Sequence, residues 1–212
     1  MRLLAVLLLV TGSVAKNMTD SGPSVIVVGF PKSGTSTISE YFSCMKKKVS
    51  HFICKKEECS ECIYKNYKKK VAPFQECGIY DVYAQMDSSH HTHCFFPQIT
   101  MLKELHSYYP DALWILNMRP FDSWIRSVNH WGDLRQRLTH CELPGFPAMK
   151  NATDAQFRRF FDGHIAHVRE FVDTHPWQQI LEVDIESEAN NLVNIFGHRE
   201  CWGHSNTGRY EH

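Results

Sequence analysis

Two short stretches of this chain carry residues whose types and spacing suit the binding of phosphate-like anions. The first runs Val25-Ile26-Val27-Val28-Gly29-Phe30-Pro31-Lys32-Ser33-Gly34-Thr35-Ser36-Thr37. Its four consecutive β-branched residues predict a short strand buried on both faces, as in a parallel sheet. A Gly/Pro/Ser turn follows, and from Thr35 to Met45 the residues Ile38, Tyr41, Phe42 and Met45 fall on one helical face. Where a strand turns tightly into a helix, backbone N–H groups converge at the positive end of the helix dipole and bind phosphate-like groups well. The nucleoside-triphosphate form of such a loop is G-x-x-x-x-G-K-[ST]. Gly29 and Gly34 keep its spacing, but Thr35 stands where that lysine belongs, and the loop's lysine, Lys32, lies inside it. An ordinary magnesium–ATP site is disfavoured.

The second stretch is Arg119-Pro120-Phe121-Asp122-Ser123-Trp124-Ile125-Arg126-Ser127. Arg119 closes the apolar run Ala112–Met118, which predicts a strand. Residues 121 to 131 predict a helix with Phe121, Trp124, Ile125 and Val128 inward. Ser127 lies off that stripe, so its hydroxyl is available to a cleft. Arginine offers a planar fork of charged donors matched to phosphate oxygens. A strand-capping arginine and a surface serine would give the same letters.

Pro31-Lys32-Ser33-Gly34-Thr35-Ser36 resembles the 5′-phosphosulfate loop of sulfotransferases that use 3′-phosphoadenosine 5′-phosphosulfate (PAPS), and Arg119 with Ser127 resembles their 3′-phosphate motif. The two occur in the family's order, each at the C-terminal end of an expected strand, where open parallel sheets bind ligands. The stretch Cys201 to Tyr210 resembles a Cys-x-Gly-x-Ser-x-Gly-Arg loop of lumenal glycan sulfotransferases that lies over the donor nucleotide, with one extra residue before Gly208-Arg209. The chain is thus similar to PAPS-dependent sulfotransferases, closest in style to the lumenal, Golgi-type carbohydrate enzymes.

The resemblance implies a three-layer, P-loop-type α/β fold with a central parallel sheet flanked by helices. It also implies in-line sulfuryl transfer from PAPS to a hydroxyl or amine, with no metal. Pro31, Lys32, Ser33, Gly34, Thr35, Ser36, Thr37, Arg119, Ser127 and Arg209 are then the donor-binding residues, and Lys32 neutralises charge on the bridging oxygen. In the cytosolic relatives a histidine base ends the strand before the arginine strand, and in the lumenal ones a glutamate serves. Asp87 holds that strand end, with Asp81 and Glu76 as alternatives and His90, His91 and His93 close behind. Two rival readings stand beside this one: a secreted nucleotide-binding protein of the same fold without catalysis, and a small-molecule kinase, which would want lysine at position 35.

The elements that must position these residues alternate. After the first strand and helix, Ile79–Met86 reads as a second strand and Ser88–His93 as a polar run. Pro97 opens a helix carrying Ile99, Leu102, Leu105 and Tyr109, which ends near Pro110. Leu143–Lys150 is a connection. From Thr153 a long helix carries Phe157, Phe160, Phe161, Ile165, Val168, Phe171 and Val172, a core stripe that stops at His175-Pro176. A strand at Gln179–Val183 and a helix at Glu188–Phe196 follow. Alternating strands and helices with few hairpin signals predict a parallel α/β sheet.

At 212 residues the chain suits a single domain, set at 24–210. Lys plus Arg and Asp plus Glu both number 23, so no global charge argues for nucleic acid or a membrane surface. Arg2, the apolar run Leu3–Val10 and Ser13-Val14-Ala15 predict a cleaved secretory signal over 1–15, too short to span a bilayer. Eight cysteines, an even number, suit an oxidising lumen, in the Golgi or after secretion. Asn17-Met18-Thr19 and Asn151-Ala152-Thr153 have the form of N-glycosylation acceptors. A Cys/Lys-rich insertion at about 48–78 holds Cys54, Cys59, Cys62 and Cys77 among lysine runs. Its C-x2-C spacing would serve zinc, but disulfides of unassigned pairing suit a secreted chain better. Its lysines serve equally as a solvated face or as an attraction for an anionic donor or acceptor.

Overall fold

The computed structural model describes residues 22–90, 93–146, 151–187 and 191–203. Its centre is β1 (Val25–Val27), which leads through the glycine loop into α1 (Thr35–Cys44). Next come β2 (Val49–His51), β3 (Ile53–Cys54), β4 (Glu57–Glu58) and α2 (Cys59–Lys69). β5 (Val82–Gln85) is followed by the hairpin β6 (Ser88–His90) and β7 (His93–Phe95), then α3 (Pro97–Thr100) and α4 (Leu102–Tyr108). The chain continues with β8 (Leu113–Met118), α5 (Phe121–His130), α6 (Leu134–His140), α7 (Asp154–Thr174), β9 (Ile180–Asp184) and α8 (Asn191–Phe196), and closes on a 3₁₀ turn, Arg199–Cys201.

The main sheet runs in the order β4-β3-β2-β5-β1-β8-β9. Its five strands from β2 to β9 are parallel, and β3 and β4 extend one edge antiparallel. The period of two along β1 sorts its side chains between two cores. Val25 and Val27 face Ile38, Tyr41 and Phe42 of α1 and Leu192 and Val193 of α8. Ile26 and Val28 share the opposite core with Ile63 of α2, Leu102 and Leu105 of α4, and Val168 and Phe171 of α7. Helix, sheet, helix: the three-layer α/β fold is present.

Several elements differ from expectation. The segment after α1 contributes three strands that the sequence does not announce, because each is only two or three residues long. The second strand starts at Val82 rather than Ile79, whose side chain is 77 % exposed and unpaired with any core. The polar run Ser88–His93 folds as a hairpin, with His90 opposite His93. The helix from Pro97 breaks at Met101, whose φ of −129° is not helical, and α6 was not anticipated. By contrast, the helix after Thr153 begins on a reciprocal cap: Thr153 Oγ1 accepts from the Gln156 backbone N–H, and the Gln156 side chain accepts from the Thr153 N–H.

All eight cysteines pair, as Cys44–Cys201, Cys54–Cys59, Cys62–Cys77 and Cys94–Cys141, so the C-x2-C spacing offers no free thiolates to zinc. Among the described residues no helix is long and apolar enough to cross a membrane.

Candidate active site

The chain leaves β1 for β2 through α1 on one face of the sheet and reaches β8, on the other side of β1, through α4 on the opposite face. This reversal opens a crevice at the strands' C-terminal ends. A cavity of about 1300 Å³ lies there. Into it project the glycine loop after β1, His51 at the end of β2, Gln85 and Asp87 at the end of β5, Arg119 after β8, and Ile185 and Glu186 after β9. Helix α5 adds Ser123, Arg126 and Ser127, and Trp131 follows it.

The loop is built from two backbone requirements. Gly29 passes so close to β8 that a Cβ there would lie 2.2 Å from Asn117 Oδ1 and 2.4 Å from the Asn117 carbonyl. Gly34 has φ +87° and lies against Ile185, so only glycine lets the chain turn into α1. Lys32 takes φ +66° as a non-glycine, a strained conformation of the kind that collects at functional sites.

Four successive loop carbonyls are held from behind. Phe30 O accepts from the Ser33 N–H at 3.2 Å, and Pro31 O accepts from Trp124 Nε1 at 2.9 Å. Lys32 O accepts from Arg119 Nη1 at 3.1 Å, and Ser33 O from Asn117 Nδ2 at 2.8 Å. With its oxygens committed away from the cavity, the loop presents to it the first turn of α1, where helix geometry leaves N–H groups without intrahelical acceptors. Gly34, Thr35, Ser36 and Thr37 line the cavity there. This is a cradle for an anion.

The charges agree with the geometry. Burial, and then the Arg119 guanidinium, push the Lys32 ammonium down to about 8. Lys32 Nζ rests 3.4 Å from the centroid of the Trp131 ring. Two cations share this corner, and the Glu186 carboxylate pairs with one of them, Arg119.

On the other wall the Asp87 carboxylate is buried, which raises its pKa to about 6 even though Gln98 and Gln85 donate to it at 3.0 and 3.4 Å. Gln85 also accepts from Thr35 Oγ1 at 3.1 Å, and His51 Nε2 lies 3.2 Å from the same hydroxyl. Because that hydroxyl's one proton goes to Gln85, His51 donates to it. The donors therefore run in one direction, His51 to Thr35 to Gln85 to Asp87, from loop to carboxylate. Burial holds His51 below the usual imidazole range, with Glu40 opposing and Lys32 adding to the shift.

Of the residues expected from sequence, Pro31, Lys32, Gly34, Thr35, Ser36, Thr37, Arg119, Ser127 and Asp87 meet in this one cavity. The Ser33 side chain is fully buried and does not line it. Asp81 lies at the start of β5, at the far edge of the sheet, where its carboxylate accepts the Lys48 N–H at 2.8 Å. Glu76 is an exposed turn residue at φ +64°. Neither reaches the cavity. His90 lines it with its ring 2.7 Å from Glu58 Oε1. Arg209, His91, the first fifteen residues and Asn17 lie outside the described residues, as does the His93 side chain. Sequence reasoning missed His51, Gln85, Trp131 and Glu186. No local motif marks them, since each comes from a different strand end or helix end.

Residues 24–201 match the sulfotransferase-domain family, from β1 through the last 3₁₀ turn. The chain belongs to that family. It is a sulfotransferase, and the matched span includes the glycine loop, Asp87, Arg119 and Ser127. Among curated proteins none matches the chain.

Proposed function

We propose that this sulfotransferase moves a sulfuryl group from PAPS to a hydroxyl or amine of a glycan or glycoprotein acceptor in the secretory pathway. The observation that carries the reading is the 3.1 Å bond from the Arg119 guanidinium to the Lys32 carbonyl. It joins Arg119 to the glycine loop on one cavity, which supports reading the two as the 3′-phosphate and 5′-phosphosulfate stations of a single nucleotide.

The donor supplies an activated sulfuryl group, and its transfer to the acceptor releases adenosine 3′,5′-bisphosphate. The first-turn N–H groups of α1, Thr35 among them, with the Ser36 hydroxyl, hold the 5′-phosphate, and Lys32 neutralises the oxygen that gains charge as the S–O bond breaks. Arg119 and Ser127 hold the 3′-phosphate. Asp87 takes the acceptor's proton, and a carboxylate raised toward neutrality is a better base than an ordinary one. The bonds donated by Gln98 and Gln85 keep it oriented. Thr35 in place of a triphosphate-loop lysine argues against the kinase reading.

The acceptor class and the compartment rest on the disulfides and on a surface glycosylation sequence. Four disulfides suit an oxidising lumen, and Asn151 is exposed as an N-glycan acceptor must be. The deciding experiment incubates the protein with PAPS labelled in its sulfur and a panel of glycans, peptides and lipids, then locates the label. Label on glycans supports the reading. Transfer to peptide tyrosine or lipid alone overturns the acceptor class, and bisphosphate binding without any transfer leaves a binding protein.

A further inference from the structure

Arg119 offers its bidentate fork, Nε and Nη2, to a carboxylate of its own chain. Nε donates to Glu186 Oε1 at 3.0 Å and Nη2 donates to the same oxygen. The other Glu186 oxygen, Oε2, accepts from Ser123 Oγ at 3.4 Å. Ser123 also accepts from Arg126 Nη2 at 3.0 Å. Glu186 follows β9, lines the same cavity as Ser127, and faces the arginine across the crevice mouth. A planar anion thus sits in the arginine fork, with a helix hydroxyl on its second oxygen. That is the arrangement a phosphate would seek.

We infer that Glu186 is an internal competitor for the donor's 3′-phosphate. It fills the Arg119 fork while the site is empty, must swing aside when a 3′-phosphorylated nucleotide enters, and drives the spent bisphosphate out after transfer. This rests on the donor reading above and adds a residue that sets 3′-phosphate affinity. The alternative role for Glu186, holding Arg119 in place for the phosphate, predicts the opposite sign. Removal of a competitor tightens binding, whereas removal of a support weakens it.

The test is calorimetric titration of wild type, Glu186→Gln and Glu186→Ala with adenosine 3′,5′-bisphosphate and with adenosine 5′-phosphate, which lacks the 3′ group. A partly exposed ion pair is a modest competitor, so the bisphosphate should bind about fivefold more tightly to both variants. Adenosine 5′-phosphate should bind all three proteins equally, which also shows that the loop remains folded. Unchanged or weaker bisphosphate binding overturns the inference, and so does an equal change for both nucleotides. If wild type binds the bisphosphate and the variants match it, only the role of Glu186 falls. If wild type binds neither nucleotide, the donor reading itself falls and takes this one with it.

Discussion

At the scale of single residues, the site's two key ionisable groups are shifted toward each other from opposite ends of the pH scale. Asp87 is raised to about 6 by burial, and Lys32 is lowered to about 8 by burial and by Arg119. Transfer needs the first ionised and the second protonated, so kcat/KM for the donor should rise through pH 6 and fall through pH 8. Asp87→Asn should erase the acidic limb together with at least about a hundredfold of rate. Lys32→Arg should move the alkaline limb out of range, because guanidinium does not titrate there. Flat profiles in wild type would sink both assignments. Lys32→Ala should lose transfer and keep bisphosphate binding through Arg119 and Ser127, and equal turnover in the two proteins would refute the role given to the lysine.

At the scale of elements, the contact between the loop after β1 and its neighbours is what shapes the anion cradle. Gly29→Ala would drive a Cβ into the Asn117 backbone of β8. The expected cost is about 1–3 kcal/mol of stability, seen as a lowered Tm, because the obstacle is main chain and cannot turn away. From α7, His164 reaches under the same loop, with Nε2 2.7 Å from the Val28 carbonyl. Burial lowers its pKa to about 4, so the folded state holds it neutral while the unfolded chain protonates it near the ordinary value. The folded state binds fewer protons in that window. The stability from this group is therefore complete above pH 6.5 and is lost as pH falls toward 4, on the order of 2–3 kcal/mol. His164→Gln keeps a donor for Val28 without titrating. Its urea midpoint should drop less than that of wild type between pH 7 and pH 4.5, and an identical drop would disprove the assignment.

The same scale explains what could be read in advance. The anion cradle was legible because its parts are consecutive, and Arg119 with Ser127 because one helix carries the serine at a fixed offset. Long elements with a clear apolar stripe, α5 and α7, stood out for the same reason. β2, β3 and β4 did not, being shorter than any periodicity can register. The relay from His51 to Asp87 was hidden because it is assembled across the ends of β2, β1 and β5, which only the sheet order brings together.

At the scale of the whole molecule, covalent links hold the working edge together. Cys94–Cys141 ties the β6–β7 hairpin to the end of α6, two walls of the cavity that also meet where Arg137 Nη1 donates to Ser89 Oγ at 2.9 Å. Cys44–Cys201 joins α1 to the last 3₁₀ turn across 157 residues of sequence, and a long closed loop restricts the unfolded chain most. The double variant Cys44→Ser/Cys201→Ser should lose about 2–5 kcal/mol by denaturant unfolding, roughly two to three times the loss from opening Cys54–Cys59, whose ring spans five residues.

That long link also sets a timetable. A ribosome adding about 5–20 residues per second brings out the partner of Cys44 only roughly ten to thirty seconds after Cys44 itself, whereas Cys59 follows Cys54 almost at once. Throughout that interval the waiting thiol has Cys54, Cys59 and Cys62 as nearer suitors, so a nascent chain meeting oxidant early would be captured in the wrong ring. An isomerase that undoes such premature unions should therefore raise the yield of correctly paired protein on oxidative refolding, and refolding without it should leave mispaired, protease-sensitive forms.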